Sequence, residues 1–289
     1  MKNFQRFALC AIVAGSIISC QKDEVQEEAA QPEVQQQVPT TVLEKVRDLY
    51  MSPADVVPTT LMDLDGSETK GYMISGDIFA TEEHLDEMIA LNNNAAEEDQ
   101  GAKQYRTRAL VSRGRTIRVL GYTGNDQNGL RGNMEQGLRW AINNYNRINI
   151  NLRFDLTFGS SQAAINNADM VVFSVPSNGA GGSAGFPSRG LPFNRIRINS
   201  ATGNANPNVN EHVIGHEIGH AIGFRHTDYF SRQSCGQNTN EGDSGVGAIR
   251  IPGTPAGFDP TSLMLSCFNF GVDGEFNDND IRALRSMYP

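Results

Sequence analysis

At 289 residues, with 39% hydrophobic and 8% aromatic side chains, the chain is long enough for one or two domains around a sizeable core, which excludes a wholly disordered protein. Its formal net charge of −9 is unevenly spread: residues 21–105 hold 19 acidic and 5 basic side chains, whereas residues 106–289 hold 14 and 17, with no lysine beyond Lys103. So small a positive excess in the body leaves no electrostatic footprint for nucleic acid, which is excluded as a partner.

Residues 1–19 read as an export signal. Lys2 and Arg6 precede an apolar stretch from Phe7 to Ile18 that is too short to span a bilayer. It ends in Ile17-Ile18-Ser19-Cys20, which resembles the lipobox of bacterial lipoproteins. That resemblance implies that Cys20 becomes a lipidated first residue, tying the protein to a membrane through acyl chains. Gln21-Lys22-Asp23-Glu24 is similar to the acidic tract that directs some lipoproteins outward, so the outer membrane or cell surface of a bacterium is the expected location. An ordinary signal peptide cleaved nearby is the alternative. Residues 20–40, rich in Gln and Glu, form a disordered acidic tether.

Structure returns in residues 41–105. Thr41 to Met51 has helical spacing, with Val42, Leu43, Val46 and Leu49 or Tyr50 inward. Gly71 to Phe79 reads as one strand, and Thr81-Glu82-Glu83 opens a helix through Leu91. Asn92 to Gln100 is a polar hinge, followed by Arg106, Arg108, Arg113 and Arg115, an exposed junction suited to processing. An acidic leader before a mildly basic body predicts that residues 41–105 lie on residues 106–289 by charge complementarity.

The body alternates strands and helices. Thr116 to Tyr122 is a strand of branched residues, and Asn133 to Ile148 is helical through Leu138, Ala141, Ile142 and Tyr145. Leu152 to Phe158 alternates as a strand, and Asp169 to Val175 is apolar enough to be central. Gly179 to Gly185 lacks a lysine at phosphate-loop spacing and reads as a mobile loop, with Arg195 to Asn199 as an edge strand. A helix begins after Pro207, and a last one spans Asp280 to Met287, capped by Asn279 or Asp278. Asp273 and Asn277 to Asp280 could bind calcium, although their spacing matches no recognised loop and equally suits solvated turns. Cys10 leaves with the signal and Cys20 is taken by lipid, so an exported chain is expected to join Cys235 to Cys267. The alternative is one thiolate on a metal.

The densest chemistry lies in His216-Glu217-Ile218-Gly219-His220-Ala221-Ile222-Gly223-Phe224-Arg225-His226, which holds three of the five histidines. In a helix, His216 and His220 share one face and can reach one zinc ion. Glu217 projects beside them as a general base, and Gly223 can leave the helix left-handed to bring His226 back as a third ligand. The complete motif resembles the metzincin clan, and its H-E-I-G-H core resembles the bacterial dual-action HEIGH metallopeptidases.

The resemblance implies one catalytic Zn2+ on His216, His220 and His226, Glu217 as catalytic base, and Met264 in a methionine turn beneath the metal. It also implies an α+β fold: a metzincin-like catalytic domain (106–289) with a twisted mixed β-sheet, an active-site helix and a C-terminal helix, preceded by a small propeptide (41–105). Where astacin-type relatives place a tyrosine two residues after the methionine, this chain has Ser266. Ile74-Ser75-Gly76-Asp77-Ile78 resembles the astacin element in which an aspartate blocks the zinc, with Ile74 in place of an aromatic residue. A plain turn is the other reading of Asp77. The expectation is a monomeric, surface-anchored zinc metalloendopeptidase made as a zymogen and acting on protein or peptide substrates. A zinc hydrolase of glycoprotein or cell-wall substrates and a non-catalytic surface binding protein remain open alternatives.

Overall fold

The computed structural model describes residues 37–93, 105–240, 249–254 and 258–289. The export signal, Cys20, the tether up to residue 36 and most of the polar hinge lie outside the described residues. Among the described residues, no helix is long and apolar enough to cross a membrane. Gln36–Pro289 is one compact unit, so leader and body are described together.

The leader opens with α1 (Thr40–Asp48), whose Val42 and Val46 are buried one turn apart. An antiparallel sheet follows, made of β1 (Val56–Met62), β2 (Glu68–Ile74) and β3 (Ile78–Ala80), before α2 (Glu82–Asn93). The single strand expected over Gly71–Phe79 is in fact two. The chain reverses at Ser75 and Gly76, whose φ angles of 55° and 94° are left-handed, and Ile74 pairs with Ile78. Apolar residues on both sides of the turn hide it from a hydropathy reading. Val46, Met51, Ile74, Ile78, Leu85 and Met88 form the leader's core, and the body's Phe186 is part of it.

The body is built on a five-stranded sheet. Its strands are β5 (Arg115–Tyr122), β6 (Leu152–Gly159), β7 (Met170–Val175), β8 (Gly182–Ser183) and β9 (Arg195–Asn199), in the order β6-β5-β7-β9-β8. Only β8 runs antiparallel, so the sheet is mixed, as expected. Arg195–Asn199 is not an edge. It lies between β7 and β8, and the glycine-rich stretch expected to be a mobile loop supplies the edge strand instead. Glycine-rich sequence disguises an edge strand because it lacks the alternation that marks strands.

One face of the sheet packs against α3 (Asn133–Arg147) and α5 (Pro207–Ala221) around Leu138, Tyr145, Val172, Ile196 and Ile218. The opposite face carries Leu120, Tyr122, Val171 and Phe173, with α4 (Gln162–Asn167) and the leader's Leu64 over it. The arginine-rich junction is not a free loop. A short strand, β4 (Tyr105–Arg106), pairs with β10 (Ile249–Arg250); Thr107 N–H donates to Gly223 O at 2.9 Å, and Ala109 and Val111 are buried. Apolar side chains between the arginines fasten the segment to the body. The last helix, α6 (Asp278–Met287), is capped by Asn277 rather than by Asn279 or Asp278. The Asn277 side chain accepts from Asp280 N–H at 2.9 Å, and Asp280 Oδ2 accepts from Asn277 N–H at 3.2 Å.

Candidate metal centre

Helix α5 starts cleanly because Asn206 Oδ1 accepts Val209 N–H at 3.0 Å and Pro207 occupies the first helical position. Fourteen residues later the helix has carried His216, Glu217 and His220 into the core, each less than 7% exposed. Gly219 faces Met264 so closely that a Cβ would lie 2.5 Å from Sδ, so no larger residue fits without movement. At Gly223, φ reaches 115° and the chain turns back. Arg225 N–H then donates to Tyr105 O at 2.8 Å, and His226 returns to its neighbours.

Among the described residues, His216, His220, His226 and Asp77 place four ligand atoms within 4.8 Å of one another. Asp77 Oδ2 lies 2.9 Å from His226 Nε2, 3.4 Å from His216 Nε2 and 3.7 Å from His220 Nε2. Donors about 2.0–2.1 Å from a tetrahedral ion sit about 3.3 Å apart, which these distances bracket. The tautomers agree. His216 Nδ1 lies 2.9 Å from Leu263 O and His220 Nδ1 lies 2.9 Å from Phe224 O, and a carbonyl can only accept. Each Nδ1 therefore carries the proton and each Nε2 offers its lone pair inward. Burial, with His216 nearby, lowers His220 to about 4, which keeps the ring neutral.

At the centre, two buried carboxylate oxygens have no hydrogen-bond partner among the described residues: Asp77 Oδ1 and Glu217 Oε2. Burial raises Glu217 well above the ordinary carboxylate range, and Asp77 adds to the rise. Burial also pushes Asp77 upward, but His226 and bonds from all three histidines outweigh it and hold the carboxyl well below that range. Three imidazole lone pairs beside two carboxylates that are not fully hydrogen-bonded form a donor set that fits a metal ion such as zinc.

The floor is braced from below. Asp280 accepts Ser262 Oγ–H at 2.7 Å and Leu263 N–H at 2.9 Å, which holds the turn carrying Met264. Three of the residues considered for calcium, Asn277, Asn279 and Asp280, are engaged in this brace: the Asn277 and Asn279 amides both donate to Asp259 Oδ2, at 2.9 and 2.8 Å. Ser266 does not stand in for a tyrosine, because its N–H and hydroxyl both donate to Asp228 Oδ1 at 2.9 Å. Asp228 Oδ2 accepts from Ser234 N–H at 2.9 Å, and Cys235 is disulfide-bonded to Cys267, so neither thiolate is free for a metal. The bridge ties the loop after His226 to the segment after Met264. Cys20 lies outside the described residues.

Three buried polar residues have roles that the sequence did not suggest. Asp228 carries no motif, Asp280 was considered for calcium and as a helix start rather than as a brace, and the partners of both are distant in sequence. His212 was more accessible, standing four residues before His216 on the same helix face. Its ring stacks on His216 with centroids 6.4 Å apart and meets Phe268 at a tilt, 5.2 Å away, and burial lowers it to about 3. It lines a cavity of about 400 Å³ that opens beside His216 and Glu217, with Val213, Leu265 and Phe268.

A mixed sheet carrying a three-histidine centre on a glycine-turned helix above a methionine defines a metallopeptidase. The chain belongs to the dual-action HEIGH metallo-peptidase family, whose model matches residues 72–288. Among solved structures, one of myroilysin is similar at 14% identity and a TM-score of 0.40, covering 64% of this chain and 98% of that one. A second myroilysin crystal structure, also 14% identical, has a TM-score of 0.37 over 63% of this chain and 86% of its own. No curated protein matches the sequence.

Proposed function

We propose that this chain is a zinc-dependent endopeptidase made as a zymogen, with His216, His220 and His226 as metal ligands, Glu217 as general base and Asp77 as the group that blocks the centre. The observation that carries the reading is Asp77 Oδ2 seated among three inward-facing Nε2 atoms beside the unpartnered Glu217. Zinc, when bound, polarises the scissile carbonyl and lowers the pKa of water. With Asp77 withdrawn, Glu217 takes the proton of the attacking water and hands it to the departing amine. A carboxylate whose proton affinity is raised by burial suits that exchange, because it takes up the water's proton more readily than an exposed one.

The leader supports the reading by where it lies. Ala184 N–H donates to Asp77 O at 3.0 Å and Phe79 N–H donates to Ala184 O at 2.7 Å, so leader backbone occupies the residue next to edge strand β8. An extended substrate needs the same edge. The mature enzyme starts before Tyr105, since cleavage after Arg106 or Arg108 would detach the strand that holds Gly223 and Arg225. Export by the signal and anchoring through Cys20 place this activity at a bacterial outer membrane or surface.

The test is purified full chain and its Asp77→Ala variant, each incubated with a peptide library with and without a zinc chelator. Expected is internal cleavage by the variant that the chelator abolishes and added zinc restores. Equal latency in both proteins sinks the role of Asp77, and chelator-insensitive cleavage sinks the metal mechanism.

A further inference from the structure

The sheet face turned away from α5 carries two arginines and an apolar floor that peptide hydrolysis does not use. Arg195 and Arg197 of β9 pair with Val171 and Phe173 of β7, so all four side chains share this face. The Arg197 guanidinium lies 5.2 Å from the Phe173 ring centroid. Arg197 is only 4% exposed, its Nε has no hydrogen-bond partner, and burial lowers it to about 10. Among the described residues no carboxylate bonds to Arg197, and the negative charge that acts on it is that of Asp63, so a buried guanidinium on an aromatic ring is left relying on a nearby anion.

The leader supplies the nearest one. At the tip of the β1–β2 hairpin, Asp63 meets Arg195 Nε through both carboxylate oxygens, at 2.9 and 2.8 Å. Leu64, the next residue, packs against the apolar cluster that includes Leu120, Val171 and Phe173. The tip thus plugs the face with an aspartate on the guanidinium and a leucine on the floor. Both residues lie before residue 72, outside the span that the family model matches. Lifting the leader takes the carboxylate from Arg195, takes the charge of Asp63 from beside Arg197, and removes Leu64 from the apolar cluster that holds Phe173. That combination selects a carboxylate followed by an aliphatic side chain.

We propose that this face is an exosite for an acidic–apolar segment of protein substrates, an aspartate followed by leucine or a similar residue, which Asp63-Leu64 imitates in the latent chain. The proposal rests on the reading of a removable leader, but binding at the face requires no turnover and is measured apart from it. The leader is then a plug at two places, Asp77 at the metal and Asp63-Leu64 on the sheet.

Full chain carrying Asp63→Ala and Leu64→Ala is titrated with a fluorescent peptide of neutral sequence containing one Asp-Leu pair, and anisotropy is followed. Saturable binding is expected, weakened about tenfold or more when the peptide carries Asn-Leu or the protein also carries Arg195→Ala, as for loss of a charged hydrogen bond. The unmodified chain, plugged in cis, binds more weakly still. Absence of saturable binding, or binding indifferent to Arg195→Ala, overturns the proposal. Binding restricted to a copy of residues 61–68 also overturns it, since the face would then serve only the leader. If the double substitution disturbs folding, Asp63→Asn keeps the turn residue, removes the charge and is read by the same outcomes. Failure here leaves chelator-sensitive peptide cleavage by the Asp77→Ala protein untouched, so the two readings fall separately.

Discussion

In α5 the centre is held from every side. His216 and His220 are anchored by backbone carbonyls, Gly219 closes on Met264, and the disulfide and Asp228 fasten the loop beyond His226. The Asp77 loop reaches the same point through backbone contacts, with Ala184 N–H donating to Asp77 O at 3.0 Å. Two left-handed residues aim it, and Ser75 is secured by its N–H to Asp55 O at 3.2 Å and by Arg232 Nη2 to its carbonyl at 3.4 Å. A left-handed serine is strained backbone that only its surroundings maintain. The contrast is what the proposed roles require: the histidines are built into a core, whereas Asp77 arrives on a turn of the leader.

The sharpest way to break that comparison is at the site itself. In a chain already freed by Asp77→Ala, Glu217→Gln should lower hydrolysis by about 10²–10⁴-fold while metal content by mass spectrometry stays the same. Retained activity would remove Glu217 from its role. Replacing Cys235 and Cys267 by serine opens a loop whose ends are 32 residues apart and should lower stability by about 3–4 kcal/mol, read from urea unfolding. Gly219→Ala pushes a methyl into Met264 and should cost about 1–3 kcal/mol, with a lower Tm. Near-zero losses in both would mean that the floor is softer than its contacts imply.

How far the sequence reached follows the same division. His216, Glu217, His220 and Gly223 were legible because a helix converts spacing directly into position, and α3, β5, β6 and β7 were legible from periodicity. Asp77 was visible only as a resemblance, since nothing local says that a residue of β3's turn meets one more than a hundred positions away. β8 stayed hidden because its glycines carry no pattern, which left β9 misread as the edge. The bracing roles of Asp228 and Asp280 were invisible for a related reason: a buried carboxylate bonded to distant N–H groups has no spacing to read.

Weaker effects test the blocker and then the core without it. Asp77→Ala in the full chain should raise cleavage about tenfold or more, the factor that about 1.4 kcal/mol of lost blocking contact commands. Glu211, in α5, gives the smallest signal and the cleanest control. Burial first and Glu275 second raise it to about 7, while its carboxylate accepts Asn144 Nδ2–H at 2.6 Å. Between the ordinary value of 4.5 and about 7, the folded chain holds a proton there that the unfolded chain has released. Unfolding therefore releases that proton, and this residue's contribution to stability falls as pH rises through the window and levels off above it. Glu211→Gln keeps the shape and loses the titration, so urea midpoints at pH 5, 6, 7 and 8 should fall less steeply than in the parent. The difference between the two slopes should be the same with Asp77 or Ala at position 77, because the burial that shifts Glu211 belongs to α5, α3 and the Gly274 loop. A slope difference that vanished once Asp77 was replaced would mean that the leader, rather than the core, sets the environment of the metal helix.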